Sequence, residues 1–285
     1  VFSPNPGRSE SEVIGPLTEL IAGLDGMVAA TTFASNIARV KTLAVAGAQA
    51  GRSVVLLGRA MRRMITAAIE TGIISDFPAT VSPENATDIP RENLMLLTTG
   101  SQGEHRAATA QLSRGKYLGL KFAAGDTMIF SSKTIPGNEV SVGRIVNAFS
   151  EMDVNVISDQ DGLFHVSGHA NRPDLATLHE VVKPQVVIPM HGEHRHLREH
   201  AKLAESNGFQ AVVAPNGVCL DLAGNAPRVV EYVETGRTYL DGSIQIGAMD
   251  GIVRDRIRMA MNGLIVATVI IEDNEPLGDC WCEVR

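Results

Sequence analysis

The chain has 285 residues, of which 44% are hydrophobic and 20% charged, a composition typical of a globular protein with a sizeable core. No apolar run is long enough to span a membrane. A formal net charge of −7 argues against non-specific coating of nucleic acid, although it allows an enzyme that holds a few phosphates with backbone amides and single cations.

The start of the chain and its cysteines indicate its setting. The chain begins at Val1 without a secretory signal pattern, and we expect it to be the middle of a longer protein or a processed form. Cys280 and Cys282 form a C-x-C pair without a second pair, which makes a poor zinc site. We therefore expect the three cysteines to be reduced thiols in a cytoplasmic protein.

Apolar strands alternate with amphipathic helices through the first half of the chain. Helices are predicted at residues 13–24, 37–50, 60–71, 107–114 and 139–152. Strands are predicted at residues 27–33, 54–57, 94–98, 126–132 and 154–158, and residues 75–90 are expected to be a loop. Four strand–turn–helix repeats in a row predict an α/β fold, a parallel sheet with helices on both faces.

Two polar features in this half are candidate phosphate contacts. Ser35 and Asn36 lie between a predicted strand and a predicted helix, where unpaired amides bind anions, although either residue could equally be the helix N-cap. Arg59, Arg62 and Arg63 begin the next helix, although positive charge there opposes the helix dipole. These arginines either face phosphate or form a solvated surface.

Histidines are concentrated in one later stretch, because seven of the 8 in the chain lie from His165 to His200. A β-prone run at 163–166, a turn at 167–169, a helix at 174–182 and a buried strand at 186–190 are predicted there. This βαβ unit would bring His169 and His191 to the carboxyl edge of one sheet, where open α/β sheets bind ligands. Imidazoles at that edge suit metal binding or proton transfer, and the alternative is that they are ordinary surface histidines.

The last part of the chain is expected to be rich in strands. A helix is predicted at 197–206 and strands at 211–213, 218–222, 229–233, 263–271 and 281–284. Asn216-Gly217 is a hairpin signal ahead of the second of these strands.

Five short motifs together resemble a known family. They are FASN at 33–36, TGSQGE at 99–104, SSKTIPGNE at 131–139, SGHA at 167–170 and PMHGE at 189–193. In this order and at this spacing they resemble the motifs of the β-CASP metallo-β-lactamase nucleases, and within them the ribonuclease J family. The resemblance covers nearly the whole chain.

The resemblance implies a domain organisation. Residues 1–8 would end an N-terminal metallo-β-lactamase segment, and residues 9–147 would be a β-CASP parallel-sheet domain. Residues 148–226 would be the C-terminal part of the metallo-β-lactamase αββα sandwich. Residues 227–285 would be a β-rich linker and the start of a C-terminal domain.

The resemblance also implies a function. Members of this family are metal-dependent ribonucleases, 5′–3′ exonucleases with endonuclease activity that act in RNA processing and decay through a metal-activated water. The expected partners are RNA, preferably 5′-monophosphorylated, and further copies of the chain in a dimer or tetramer. No membrane association is expected, and the expected location is the cytoplasm.

Site residues follow from the resemblance position by position. His191 matches the last ligand of a site for two zinc ions, and His169 matches the histidine proposed to protonate the leaving oxygen or to steady the scissile phosphate. The resemblance favours Ser35 and Asn36 as contacts to an RNA phosphate. The loop that holds the substrate phosphate is matched by His165, Val166, Ser167, Gly168 and His169.

The chain departs from the family in one respect. The early motif that supplies most of the metal ligands is absent, because no H-x-H-x-D-H run occurs in these residues. A catalytic zinc needs about three protein ligands, so we expect this chain alone to be inactive.

Two alternatives stay open: a non-catalytic RNA-binding or assembly module, and a related β-CASP hydrolase that acts on DNA. A metal-free α/β hydrolase is disfavoured, because no G-x-S-x-G elbow is present.

Overall fold

A computed structural model describes residues 1–224, 226–247 and 250–284, and divides the chain into two units, residues 1–178 and the residues from 179 onward. Within the described ranges, no helix combines the length and the apolar character needed to cross a membrane. The domain bounds inferred from the family resemblance stay predictions. The last residue of the expected C-terminal segment, Arg285, lies outside the described residues.

A parallel sheet of six strands is the centre of residues 1–178, with the spatial order β3-β2-β4-β1-β5-β6. The strands are β1 (Val28–Thr31), β2 (Ser53–Leu57), β3 (Thr80–Val81), β4 (Leu94–Thr98), β5 (Thr127–Phe130) and β6 (Asn155–Ile157). The connections run to opposite sides of β1, so the loops after β1, β4 and β5 meet at a topological switch point. Open α/β sheets bind ligands at such a point.

Helices cover both faces of this sheet, as the sequence predicts. The helices are α1 (Ile14–Ala22), α2 (Ile37–Gln49), α3 (Arg59–Glu70), α4 (Ala108–Ser113) and α5 (Glu139–Ser150). Met95 and Leu97 of β4 join the core cluster under α1, α2 and α3, whereas Leu94 and Leu96 join the cluster under α4 and α5. Both side-chain sets of the strand are therefore buried, which explains its continuous apolar sequence.

The segment predicted as a loop at 75–90 contains regular structure. It holds the edge strand β3 and a 3₁₀ helix at Ala86–Asp88, and a second 3₁₀ helix follows at Arg91–Asn93. The loop prediction was wrong because a two-residue strand and a single turn are too short to give a periodic signal.

A 3₁₀ helix, Glu10–Val13, precedes α1 and runs into it. Ser9 and Glu12 form a capping box, in which the Ser9 amide donates to Glu12 Oε1 at 2.6 Å and Ser9 Oγ accepts from the Ser11 amide at 3.3 Å. Capping fixes the entry of the chain into α1 and so the position of Glu10, which the site requires.

The second unit is built from short pairs of strands and two further helices. Helix α6 (Arg172–Val182) lies at the division between the units. Strand β7 (Val186–Val187) pairs in parallel with β8 (Gln210–Ala211), and α7 (His194–Ser206) connects them. The strand predicted at 186–190 is therefore only two residues long, because Pro189 lacks an N–H to extend the ladder.

Antiparallel pairs dominate the rest of the described chain, which confirms the strand-rich prediction. The pairs are β9 (Val218–Asp221) with β10 (Arg228–Tyr232), β11 (Thr238–Asp241) with β12 (Ile244–Gly247), β13 (Ile265–Thr268) with β16 (Trp281–Val284), and β14 (Ile271–Glu272) with β15 (Glu275–Pro276).

Helix α8 (Gly251–Asn262) was not predicted. Asn216-Gly217 forms a turn before β9 but does not join two paired strands, because β9 pairs with the strand that follows it. Cys219, Cys280 and Cys282 are free thiols.

A buried arginine holds the end of α1 against the sheet. Arg52 donates through Nη1 to the Gly26 carbonyl at 2.7 Å and through Nη2 to the carbonyls of Ile21, at 3.2 Å, and Leu24. These carbonyls belong to the last turn of α1 and the chain just after it, where a helix has no backbone donors of its own. One side chain therefore supplies the missing donors.

We expect Arg52→Met to lower the free energy of unfolding by about 2 kcal/mol, because carbonyls at the end of α1 lose their donors while the methionine still fills the space. Urea unfolding followed by circular dichroism measures this. Arg144→Met, at an exposed position of α5, is the control and should change stability by less than about 0.5 kcal/mol. Equal stability of the two variants would contradict the role of Arg52.

Candidate functional site

Three polar loops meet at the carboxyl edge of the six-stranded sheet. They follow β1, β4 and β5, and the first carries Ser35 and Asn36. Asn36 caps α2, because its Oδ1 accepts from the Arg39 amide at 3.1 Å. Ser35 is exposed beside it. The N-cap alternative is therefore realised for Asn36, and contact with a phosphate stays a prediction for both residues.

Gln102 joins the loops after β4 and β5. Its side-chain amide donates to the Lys133 carbonyl at 3.0 Å, and its Oε1 accepts from the Ile135 amide at 2.8 Å and from Asn138 Nδ2 at 3.2 Å. Gln102 is 7% exposed, so these bonds form away from most solvent. The two loops are held as one surface.

Two hydroxyls in these joined loops are buried without a protein partner. Ser101 is 2% exposed and Ser132 is 5% exposed, and neither Oγ has a hydrogen bond to any residue that the structure describes. A buried hydroxyl without a partner carries a desolvation cost of roughly 1–3 kcal/mol. Such groups can donate to ligand oxygen atoms without losing a bond inside the protein.

A buried cation connects this edge to the histidine-rich loop. Arg39 is 0% exposed and makes a two-pronged ion pair with Glu10, in which Nη2 lies 2.9 Å from Oε2. Its Nη1 donates to the Ser131 carbonyl at 3.1 Å, to Ser131 Oγ at 3.0 Å and to His165 Nδ1 at 2.8 Å. Ser131 Oγ in turn donates to the Phe164 carbonyl at 2.6 Å. Arg39 therefore fixes the start of the loop that carries His165 and His169.

The run at 163–166 was predicted as a β-prone segment, but it is not a strand. Phe164 and Val166 pack on the core cluster under α1, α2 and α3, while the Phe164 carbonyl bonds to Ser131 Oγ. The backbone is thus held by side chains rather than by a strand ladder, which explains why apolar alternation was misleading here.

His165 is held in its neutral form. Burial, and next the positive charge of Arg39, lower the pKa of His165. Neutral Nδ1 can accept the Arg39 hydrogen bond, whereas a protonated ring could not and would place a second positive charge beside the guanidinium. His165 therefore acts in the structure as a hydrogen-bond acceptor that fixes the loop.

Asp174 fixes the other end of the same loop. Its Oδ2 accepts from the Asn171 amide at 2.8 Å and from the Gly7 amide at 2.8 Å. Asp174 lies in the first turn of α6, where a carboxylate also interacts favourably with the helix dipole.

The middle of the loop, between these two anchors, faces solvent. Ser167, Gly168 and His169 are exposed, and the His169 amide donates to Ser167 Oγ at 3.1 Å. A Cβ added at Gly168 would meet no atom within 4 Å, so the protein itself does not require glycine there. The space beside Gly168 lets a ligand approach the backbone closely.

His191 belongs to the second unit, just after β7. Its φ is +60°, a left-handed conformation that few residues other than glycine adopt, and its side chain is exposed. Strained backbone of this kind is concentrated at functional sites. The predicted meeting of His169 and His191 at one site stays a prediction.

The described residues do not by themselves form a metal centre. Nowhere in ranges 1–224, 226–247 and 250–284 do three His, Cys, Asp or Glu side chains group closely enough to hold a metal ion. His191 is the one ligand matched by the family resemblance, and about three are needed for a catalytic zinc. The residues present therefore do not fit a complete zinc site.

Two of the clustered histidines have a structural role that the sequence did not reveal. His179 Nε2 and His200 Nε2 lie 3.1 Å apart, the rings are stacked, and Phe209 packs against His179 at 5.8 Å between ring centroids. Burial is the main cause that lowers the pKa of each. His179 is 4% exposed and is therefore a core residue.

The sequence did not predict the positioning roles of Arg39, Glu10 and Gln102, although Gln102 belongs to the motif at 99–104. A signal was available for Arg39, which lies in an otherwise apolar stretch of α2 with Val40 and Leu43 on its buried side. A charged side chain among such neighbours is buried only when it is paired.

Two family models match the chain. One is described as "Ribonuclease J, beta-CASP domain" and matches residues 25–149, and the other is described as "Zn-dependent metallo-hydrolase RNA specificity domain" and matches residues 163–215. The first match runs from just before β1 almost to the end of α5, and the second covers the histidine-rich stretch.

Curated relatives match almost the whole chain. The chain is similar to "Ribonuclease J" of Sinorhizobium meliloti, with 37% identity over 274 residues, 95% of this chain and 48% of that protein. It is 35% identical to "Ribonuclease J" of Mycolicibacterium smegmatis over 94% of this chain and 49% of that protein. It is 32% identical to "Ribonuclease J 1" of Streptococcus pyogenes over 95% of this chain and 49% of that protein. The chain spans about half the length of these relatives.

We expect Arg39→Lys to lower the free energy of unfolding by about 3 kcal/mol, because a compact ammonium group cannot reach the separate positions of Glu10, Ser131 and His165 that the planar guanidinium spans. The loop that carries His165 should exchange its amide hydrogens faster, which mass spectrometry measures by peptide. Arg144→Lys on α5 is the control, and unchanged exchange in the Arg39 variant would contradict the anchoring role.

The lowered pKa of His165 predicts a pH dependence of stability. As pH falls below about 6.5, the unfolded chain takes up a proton at this position before the folded chain does, so stability should fall with pH until the lowered folded pKa is passed. His165→Asn keeps an acceptor oxygen but does not titrate, so its unfolding free energy should fall less steeply over that interval.

Urea unfolding at a series of pH values measures the difference. His179 and His200 titrate in both proteins, so the difference between the two curves isolates His165. Gln160→Asn, at an exposed position that does not titrate, is the control and should keep the original slope. Parallel curves for the original and the His165→Asn proteins would show that His165 is not held neutral.

Proposed function

Because the chain belongs to the ribonuclease J family, we propose that the complete protein is a metal-dependent ribonuclease that hydrolyses RNA phosphodiesters. In this proposal it degrades 5′-monophosphorylated RNA from the 5′ end, also cuts internally, and acts in RNA processing and decay in the cytoplasm. It works as a dimer or tetramer. The family matches and the names of the relatives support this proposal.

The substrate phosphate would bind to the loop from His165 to His169. The observation that carries this proposal is the loop's construction: Arg39 fixes one end, Asp174 fixes the other, and the middle is exposed. A loop held at both ends has little conformational entropy left to lose when it binds a phosphate. Ser167 Oγ and the backbone beside Gly168 can then donate to phosphate oxygens.

His169 would protonate the leaving oxygen or steady the scissile phosphate. Its side chain is exposed at the middle of the fixed loop, so a bound phosphodiester can reach the imidazole. Its amide bonds to Ser167 Oγ, which sets the backbone from which the ring projects. A histidine is suited to this proton transfer near neutral pH.

Ser35 and Asn36 would contact a second phosphate of the RNA. Asn36 already uses Oδ1 to cap α2, so its contribution would come from Nδ2, whereas the exposed Ser35 has its hydroxyl available. The N-terminus of α2 lies behind both residues and favours an anion.

His191 would be one protein ligand of a site for two zinc ions. The description of the second family model supports a metal cofactor. The described residues do not supply the other ligands, so no chemical step can be assigned to a metal from this chain. We therefore expect the 285 residues alone to lack nuclease activity.

His169→Ala in the complete protein should lower the single-turnover rate of RNA cleavage on the order of 10²- to 10⁴-fold, because the proton donor is lost. RNA affinity, measured with a metal chelator present, should change little, since the loop anchors at His165 and Asp174 are kept. The assay follows a 5′-labelled single-stranded RNA, with a DNA of the same sequence as competitor.

His105→Ala, at an exposed histidine outside the loop, is the matched control and should cleave normally. Normal cleavage by the His169 variant would overturn its proposed role. Preferential cleavage of the DNA would favour the related DNA hydrolase, and tight RNA binding without any cleavage by the complete protein would favour the binding module.

A further inference from the structure

An open cleft beside α3 lies outside the loops assigned so far. It has a volume of about 460 Å³ and lies between α3 and the segment that carries the edge strand β3. Ile65, Ile69 and Phe77 provide apolar surface, while Thr66 and Ser82 add hydroxyl groups. The cleft therefore offers a mostly apolar slot with a few polar groups at its sides.

Three arginines lie in the first turns of α3, and one of them borders this cleft. Arg59, Arg62 and Arg63 are spaced i, i+3 and i+4, which places them on one side of α3, and all three are exposed. Arg62 lines the cleft itself. Among the described carboxylates, none lies within ion-pair distance of any of the three.

The charge balance of this surface is unusual for the chain. The first turn of α3 has no acidic residue, and positive charge there opposes the helix dipole. Glu84 lies near enough that Arg62 contributes to its lowered pKa, after the Glu84 backbone amide and the Ser82 hydroxyl. Three arginines without an ion pair to any described carboxylate make the start of α3 positive on a chain whose net charge is −7.

The position of the cleft suits the strand of RNA that the proposed function requires. Helix α3 begins at the carboxyl end of β2, and β2 is two strands away from β1 in the sheet. At about 4.8 Å for each strand, the start of α3 is roughly 10 Å along the sheet edge from the loop that carries Ser35. The start of α3 with its arginines therefore lies at the same edge as that loop, and the cleft extends from Arg62 past β3 to Phe77, which precedes the strand.

We propose that the cleft and its arginines form a second RNA-binding site, which takes an unpaired nucleotide of the same strand outside the catalytic loop. The base enters the slot and stacks on Phe77, and the neighbouring phosphates bind Arg59, Arg62 and Arg63. Stacking in an apolar slot accepts any base, so the site adds affinity without sequence preference. This inference rests on the proposed function, because RNA is the expected polyanion.

The test uses the complete protein and 5′-monophosphorylated single-stranded RNAs of increasing length, with a chelator to prevent cleavage. Changing the three arginines together to Gln should weaken binding of long RNAs about tenfold for each phosphate that is no longer bound by an arginine. The slope of log affinity against log salt should fall by about one for each such phosphate. The shortest RNAs, which fill only the catalytic loop, should bind as before.

Thr66→Trp is a second variant that does not change charge. Thr66 is exposed and lines the cleft, so an indole there fills the slot without disturbing the core. Long RNAs should bind roughly tenfold more weakly, whereas the salt slope should stay the same. Arg144→Gln, on α5 at the other face of the sheet, is the control and should leave both quantities unchanged.

Unchanged affinity and salt slope in the arginine variant would overturn the second site. The second site would also be overturned if the arginine variant bound a polyglutamate peptide more weakly than the original protein but bound RNA equally well. The arginines would then bind an acidic protein. A different result would overturn the proposed function: the complete protein binds RNA through the arginines of α3 but cleaves no RNA. The second binding site would stand in that case. Circular dichroism of each variant confirms that the chain is folded.

Discussion

A fully buried guanidinium is the constraint on which the candidate site depends. Removing Arg39 from water costs several kcal/mol, and the cost is offset only because every direction of the side chain has a partner. Those partners come from separate parts of the sequence: Glu10 from the N-terminal 3₁₀ helix, Ser131 from the end of β5, and His165 from the histidine-rich loop. The strands beneath are buried on both faces, so their ends move little. The position of the loop at 165–169 therefore depends on segments from the whole length of the first unit.

The density of histidines in one stretch has two different causes. His179 and His200 are stacked on each other within the second unit, and burial lowers the pKa of each. His169 and His191 are exposed on loops, the first between two anchors and the second in a left-handed conformation. His165 lies between these classes, because it is neutral and half-buried yet belongs to the proposed phosphate loop. The residue type alone does not distinguish these roles of histidine. The burial of each side chain and its hydrogen-bond partners do.

Local patterns in the sequence were enough to establish the α/β class, most elements of the parallel sheet, and the family. Continuous apolar strands such as Leu94–Thr98 and capped helices such as α2 carry strong signals, because hydrophobic periodicity and capping act within a few residues. The motifs with glycine and histidine pointed to the loop at 165–169 in the same way, and its contact with a substrate phosphate stays a prediction. Strand β3 and the non-strand run at 163–166 were missed, because they depend on contacts with distant residues.

The way in which the loop is held became visible only in the folded chain. Arg39 and Glu10 are 29 positions apart, and Arg39 and His165 are 126 positions apart, so no local pattern could pair them. The same is true of the cleft beside α3, which forms where a helix and an edge strand pack together. A sequence shows which side chains are present, but burial, pairing and pKa depend on the fold that brings distant segments into contact.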